Sequence, residues 1–442
     1  MFVEIVLAIF VLTYFLLIYR KIGKWHLPIW VSMVVGAILM VATLSISPKN
    51  AFNSIDFQVI EFLFGMLVIT NGFEKSGLIN YIVLWILKRT RGAEEILLAV
   101  ILGSGFLSAF LVNDTIALLW TPIVLGIATR IGLKNKKALL FPLAFGITIG
   151  SAFTPIGNPQ NVLVTVKSGM STPFTSFVEF LAIPTAISLV VVYYLCRSRF
   201  FFGRELRALK DTAVSTDRSV VQEPSNAISD WLLAKESAIT LALFLASIGI
   251  IETFPPLASI KLAGASLDIS ISFLAFLWGV ILLIISPKRE YLLVSLSWSI
   301  LIFFAGMFVV MGGVWNSGIG PRILGYLPSP GNGGSLQTTS SIMLASTVLS
   351  QILSNVPFVE LYSYQMHSLG FGPSAVIPWL AVAAGSTLAG NLTILGAASN
   401  IIIIHSSEIR GEKSFSFIEF LKYGSIVTVV TVLIFTAFLS FS

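Results

Sequence analysis

Charge is what this sequence has least of. Asp, Glu, Lys and Arg make up 11% of its 442 residues, less than half of the roughly 25% that a water-facing surface needs. A soluble globular domain is excluded on that ground. One cysteine, Cys196, excludes a disulfide within the chain and cysteine-rich metal centres with it. His26, His367 and His405 stand far apart, and no Ser/His or His/Glu cluster falls in the apolar segments. A transition-metal site or an intramembrane enzyme therefore has no residues to build on.

Apolar residues make up 56% of the chain, and mean hydropathy is +0.93. They gather in runs such as 2–19, 27–44, 232–251, 269–285 and 417–441, close to the roughly 20 residues a helix needs to cross a bilayer. The net charge of +6 points to Lys- and Arg-rich cytoplasmic loops rather than to nucleic acid. Glu4 precedes the first run, and Arg20, Lys21 and Lys24 follow it. That is the reverse of a signal peptide, so a retained first helix with its N-terminus outside is expected.

The chain contains itself twice, at a spacing of about 240 residues. Phe62-Leu-Phe-Gly65-Met66-Leu-Val68 returns as Phe303-Phe-Ala-Gly306-Met307-Phe-Val309, and Ser176-Phe177-Val-Glu179 as Ser416-Phe417-Ile-Glu419. Between them, Leu111-Val-Asn113 matches Leu353-Ser-Asn355, and Thr154, Gly157 and Asn161 match Thr393, Gly396 and Asn400. Four matches in one order describe a duplication. The expected fold is an all-α polytopic membrane protein of two inverted repeats, each of five spanning helices with a re-entrant hairpin and a broken helix. The first repeat is 1–197, with its hairpin at about 93–131 and its broken helix at about 138–166. A cytoplasmic linker, 198–231, joins it to the second, 232–442, with hairpin and broken helix at about 341–369 and 375–404. Five crossings per repeat is odd, which inverts the second against the first. With hairpins that enter and leave on one side, 23 of the 27 Lys and Arg residues share a side, leaving Lys49, Lys167, Lys261 and Arg322 opposite. The rich side is the cytoplasm of a plasma-membrane protein, with both termini outside. Residues 327–341 are expected in an external loop. Residues 78–88 are short for a span and suit the membrane interface. Glu179 and Glu419 are expected to begin their helices, where a carboxylate favours the dipole.

Irregular backbone survives in hydrocarbon only where protein or a watery cavity surrounds it. Asn113-Asp114-Thr115, followed by Thr121-Pro122, marks the first hairpin tip, and Ser354-Asn355-Val356-Pro357 the second. Thr154-Pro155-Ile-Gly157-Asn158-Pro159 should break one helix, and Gly385, Gly390-Asn391 and Gly396 the other. Broken helices present N-termini suited to an anion, while freed carbonyls and Asn, Ser and Thr oxygens suit Na+. Asp114, Gly157, Asn161, Glu360, Gly396 and Asn400, with Asn113 and Asn355, are the candidates for ion coupling. The bland alternative is that the Asn residues glue helices together; their duplication at duplicated breaks favours function. Asp114 and Glu360 are the carboxylates expected at depth, where a charge costs about 2.5–3.5 kcal/mol. No Lys or Arg is expected at mid-membrane depth, so an anion would be held by dipoles, hydroxyls and co-bound cations.

The stretch from Leu111 to Val124 and the run Ser151-Ala-Phe-Thr-Pro-Ile-Gly-Asn-Pro-Gln-Asn161 resemble the ion transporter superfamily. That group includes divalent anion:sodium symporters, citrate transporters, arsenite efflux permeases and some sodium/proton antiporters. Residues 65–78 and 388–411 resemble it as well. The resemblance implies that Ser-Asn-Thr triplets at the hairpin tips hold substrate. Here those positions are Asn113-Asp114-Thr115 and Ser354-Asn355-Val356, with Thr154, Asn158 and Thr393 beside the breaks. It also implies Na+ at the broken helices, elevator-like movement and a homodimer. Asp114 is a departure nearer the arsenite permeases, whereas Gly-Asn-Pro-Gln-Asn is nearer the dicarboxylate branch.

The expected function is secondary transport of a small anionic solute, a di- or tricarboxylate or an inorganic oxyanion, coupled to Na+ or H+. No other cofactor and no nucleic acid is expected; the partners are the solute and the lipid bilayer. Arsenite or antimonite efflux is the nearest alternative, because a neutral trihydroxide needs no positive site and suits Asp114. Sodium/proton antiport follows, and an ion channel is the alternative from another class.

Overall fold

The computed structural model describes every residue except 1, 19–20, 23–24, 91, 199, 204, 206–222, 255–258, 263–264 and 326–335. Twenty α-helices follow one another among the described residues, ten in each half. The first ten are α1 (Phe2–Ile18), α2 (Ile29–Ala42), α3 (Pro48–Ser54), α4 (Phe57–Ser76), α5 (Leu78–Leu87), α6 (Ala93–Ser108), α7 (Asn113–Arg130), α8 (Lys137–Gly150), α9 (Pro159–Ser168) and α10 (Pro173–Arg197). The second ten are α11 (Trp231–Thr253), α12 (Ile271–Ile285), α13 (Arg289–Val294), α14 (Trp298–Asn316), α15 (Ile319–Leu324), α16 (Leu336–Leu353), α17 (Asn355–Ser368), α18 (Val376–Leu388), α19 (Ala398–Glu408) and α20 (Phe417–Phe441). Two small antiparallel hairpins sit at matching places. β1 (Lys21–Ile22) pairs β2 (Trp25–His26) between α1 and α2. β3 (Ser259–Leu262) pairs β4 (Ala265–Asp268) between α11 and α12.

Polar punctuation sets the helix starts. The Asp56 carboxylate accepts from the Val59 amide to open α4, Asp230 does the same for α11 through Leu233, and Ser270 for α12 through Phe273. Ser416 and Glu419 form a reciprocal capping box at the start of α20. Gly77, at φ +80°, ends α4 and turns the chain into α5. Five helices (α4, α10, α11, α14 and α20) are long and apolar enough to cross a membrane.

Packing exchanges partners between the halves. α4 lies on α12, and its counterpart α14 lies on α2. Helix α7 packs on α19, while α17 packs on α9. The duplicated glycines explain why the α4 and α14 crossings are so close. A Cβ on Gly65 would stand 2.0 Å from the Ala275 carbonyl oxygen of α12, and one on Gly306 would stand 3.0 Å from the Met33 carbonyl carbon of α2. Backbone at Ala275 cannot rotate aside. Gly65→Leu is therefore expected to remove the monodisperse folded peak in detergent size-exclusion. Gly126→Ala, in open space on α7, should leave that peak unchanged. A normal peak for the Gly65 variant would refute this account of the crossing.

Two expectations need correction. Residues 336–341, expected in an external loop, belong to α16, and 326–335 of that loop lie outside the described residues. The run looks polar, but Thr338 and Thr339 are buried and the Ser340 hydroxyl bonds back to Leu336 O at 2.6 Å. Such i−4 bonding lets a Ser/Thr stretch stay helical. Glu179 does not begin a helix: α10 starts at Pro173, leaving Glu179 exposed nearly two turns in. Glu419 does begin α20, and Lys137 Nζ reaches its carboxylate at 2.7 Å. The described ends of 198–231 are pinned against the helices. Phe202 is buried with its ring 5.4 Å from Phe141, Lys88 pairs with Glu223 at 2.6 Å, and the Ser229 amide donates to Ser76 O at 2.9 Å. Lys288 Nζ, 2.6 Å from Asp230, is the first cause holding that carboxyl below the usual range; the Leu233 amide is the second. Averaged polarity of the linker concealed the aromatic anchor Phe200-Phe201-Phe202. Helix α5 covers most of 78–88 and packs on the turn Pro224–Ala227.

Candidate functional site

Four helix starts converge on one cavity of about 460 Å³. Asn113 and Asp114 open α7, Pro159 and Gln160 open α9, Asn355 and Val356 open α17, and Ala398 and Ser399 open α19; all of them line it. Each of those first turns carries backbone N–H groups without intrahelical partners. Tyr14, Trp30, Phe62, Phe303 and Phe304, from α1, α2, α4 and α14, give the cavity an apolar wall. Among the described lining residues there is one carboxylate, Asp114, and neither Lys nor Arg.

Local sequence explains two of the four starts, those of α9 and α17. Pro159 occupies the first turn of α9, where a missing N–H costs nothing. The Asn158 side chain caps that helix, accepting from the Asn161 amide at 2.9 Å. Between α16 and α17 the chain reverses on Ser354 alone, at φ +63°. Such a conformation in a residue other than glycine is uncommon, and strain of this kind gathers at functional sites. The Tyr14 hydroxyl steadies the turn by donating to Leu353 O at 2.7 Å.

The sequence candidates divide into two groups. Asn113, Asp114, Asn158, Ser354, Asn355 and Gly396 line the cavity. Thr115, Thr154, Gly157, Asn161, Thr393, Asn400 and Glu360 do not, and most of these hold the cavity's framework. The Thr154 hydroxyl donates to Ala109 O and accepts from the Gly157 amide. A Cβ on Gly157 would meet Ser151 O at 2.3 Å, so only glycine fits there. Asn161 Nδ2 donates to Ser151 O at 3.0 Å and Thr154 O at 2.8 Å, tying the break together. In the second half Asn400 Nδ2 donates to Gly390 O at 2.8 Å, and Thr393 Oγ1 to Gln351 Oε1 at 2.7 Å.

Glu360 departs furthest from expectation. It is fully buried away from the cavity, and Lys167 Nζ stands 3.1 Å from its Oε1 and 3.1 Å from Asp56 Oδ2. The Lys167 side chain is only 16% exposed, a buried pairing that the sequence reading of Lys167 as an outer-side residue did not include. Lys167 lies in the last turn of α9 and reads in sequence as an ordinary helix-end cation. Sequence reasoning also missed Gln160, Gln351 and Ser399 on the cavity wall and Thr387, which bridges Asn158 and Asn161. Gln160 stood inside the quoted Gly-Asn-Pro-Gln-Asn run, and its counterpart by the repeat is Ser399.

Long apolar helices around an internal cavity with a few polar groups define a multi-pass membrane protein. The family model described as "Citrate transporter" matches residues 14–383, so the chain belongs to the citrate transporter family and is a membrane transporter. It is 28% identical to a 46 kDa membrane protein of Mycobacterium leprae (strain TN), over 97% of this chain and 96% of that one. It is 26% identical to the silicon efflux transporter LSI3 of Oryza sativa subsp. japonica, over 84% of this chain and 83% of that one. Neisseria gonorrhoeae MtrF, of a class of antimetabolite efflux pumps, shares the fold at a TM-score of 0.55 and 14% identity, over 98% of this chain and 94% of that one.

Proposed function

We propose that this protein is a secondary transporter for a small anionic solute, coupled to Na+ or H+. The observation that carries this reading is the convergence of four helix N-termini on one cavity. Each N-terminus is equivalent to about half a positive charge, so together they favour an anion without a Lys or Arg. Asp114 sets the coupling: its charge repels the anion unless a proton or cation accompanies it. In this reading the halves are inverted repeats, and α6–α7 and α16–α17 are re-entrant hairpins. Both termini lie outside and 198–231 lies in the cytoplasm. The partner exchange of α4 with α12 and of α14 with α2 suits a two-fold relation in the membrane plane. Hairpins and broken helices then move as a body against the rest, in the manner of an elevator.

Asp114 itself favours a second reading, transport of a neutral oxyacid such as arsenite trihydroxide. A silicon efflux transporter among the relatives supports it. Proteoliposomes with labelled succinate or citrate, under an inward Na+ or H+ gradient, decide between the two. Accumulation of the carboxylate that needs one gradient supports the first reading. Arsenite movement with no carboxylate uptake would replace it with the second.

A further inference from the structure

Packing sorts the long helices into two sets. α1, α2, α4, α11, α12 and α14 pack on one another, and α6–α10 pack with α16–α20. The sets meet where α9 lies on α4 and where α17 lies on α14. At that seam Lys167 Nζ of α9 stands 3.1 Å from Glu360 Oε1 in its own set and 3.1 Å from Asp56 Oδ2 in the other. Beside it, 5.6 Å from the same Nζ, the Tyr364 ring of α17 stacks on Trp315 of α14 with centroids 5.2 Å apart. An ion pair and a ring stack thus tie the two sets at one place.

The cavity lies towards the opposite end. Its walls include Leu17 from the last turn of α1, Pro28 and Trp30 at the start of α2, and Ser299 and Ile300 from the first turn of α14. In the proposed topology these are cytoplasmic ends, since Arg20, Lys21 and Lys24 lie between α1 and α2, and Lys288 and Arg289 precede α14. The other ends of α1, α2 and α14 contribute nothing to the described lining. There Phe308, Val310, Met311 and Val314 of α14 are buried. The same topology puts Asp56, at the start of α4, and Lys167, at the end of α9, on the outer side.

The ion pair has no mate in the other half. Aligning the repeats puts Ser406 opposite Lys167, Ser297 opposite Asp56 and Leu118 opposite Glu360. When one set moves against the other in an inverted repeat, the halves exchange roles. The mirrored seam then offers two hydroxyls where this one has an ammonium and a carboxylate. A contact present in one state and missing from the other shifts the population towards the first.

Resting on the inverted-repeat transporter reading above, we infer that Lys167 and Asp56 form an outer lock, closed only while the cavity faces the cytoplasm. The lock biases the solute-free protein towards that state and opens each time the cavity turns outward. Glu360 travels with Lys167, because α9 and α17 belong to one set, and keeps the lysine paired while the lock is open.

The test reads access to the cavity from each side of the membrane. The single cysteine, Cys196, is buried, so Cys196→Ala supplies the background. In it Ala398→Cys, a small change at an exposed cavity position, reports labelling by a membrane-impermeant maleimide in right-side-out and inside-out vesicles. Without solute, labelling of this parent is expected mainly from the cytoplasmic face. Asp56→Asn keeps a side chain able to cap α4 and removes the charge that faces Lys167. It should raise labelling from outside about tenfold and lower it from the cytoplasm. Trp315→Ala, which removes the ring stack and no charge, should shift access the same way by less. Ser297→Ala, at the mirrored position, should change neither rate. Outside labelling unchanged in Asp56→Asn and Trp315→Ala, both monodisperse, would overturn the lock and leave the transporter reading standing. Labelling of the parent from outside alone would also overturn it. Ionic current through the reconstituted parent would mark a continuous pore, removing the transporter reading and the lock with it.

Discussion

Asp114→Asn is expected to abolish uphill accumulation of solute while leaving exchange of solute across the membrane at equilibrium. In the proposed mechanism an anion enters the wild-type cavity only when a cation or proton offsets the Asp114 charge, and that requirement couples the two fluxes. Asn keeps the shape and removes the requirement. Each elementary charge moved across 100 mV is worth about 2.3 kcal/mol, which is about 50-fold in accumulation. A variant that loses one coupled charge should lose accumulation by about that factor. Counterflow in proteoliposomes with equal ions on both sides should continue at a rate within a few-fold of wild type. If accumulation survives in the Asn variant, coupling does not run through Asp114. If counterflow is lost as well, Asp114 belongs to solute binding instead.

Much of this site was legible because duplication marks it twice. Asn113 with Asn355 stood out only when the chain was laid against itself, and so did Asn161 with Asn400. Gly65 and Gly306 were legible as a repeated motif, but not as contacts. That they touch Ala275 and Met33 depends on which helices exchange partners. Thr154 and Asn161 have the residue types of ligands and serve as staples, because a helix break must satisfy its own carbonyls before it can offer any to a ligand. Composition cannot distinguish the two uses. Hydrogen bonding was invisible for a related reason. Ser108 and Ser350 are the same residue at matched positions, yet Ser108 Oγ reaches Asn113 Oδ1 and Ile147 O while Ser350 Oγ is buried without a partner.

The Lys167 cluster has no matching cluster in the repeat, since Ser406 stands opposite Lys167, and its disruption should lower stability strongly. Lys167 Nζ is shared between a fully buried carboxylate, Glu360, and the Asp56 carboxylate that caps α4. It also lies 5.4 Å from the Phe308 ring centroid and 5.6 Å from that of Tyr364. Removing one partner of a buried pair typically costs about 3–5 kcal/mol, because the other charge is stranded. Lys167→Met keeps the apolar stem against those rings and isolates the loss of charge. Its expected cost is at the upper end of that range, as two carboxylates lose one cation. Asp56→Asn should cost less, since the Asp56 side chain is 18% exposed and Lys167 keeps Glu360. Adding Glu360→Gln to Lys167→Met should recover a large part of the loss, because no buried charge then remains at that position. Melting curves of the wild type, Lys167→Met, Glu360→Gln and the double variant in one detergent form the double-variant cycle. Recovery in the double variant identifies stranded charge as the cause. A double variant no more stable than Lys167→Met would mean that a stranded Glu360 charge is not what the lysine offsets.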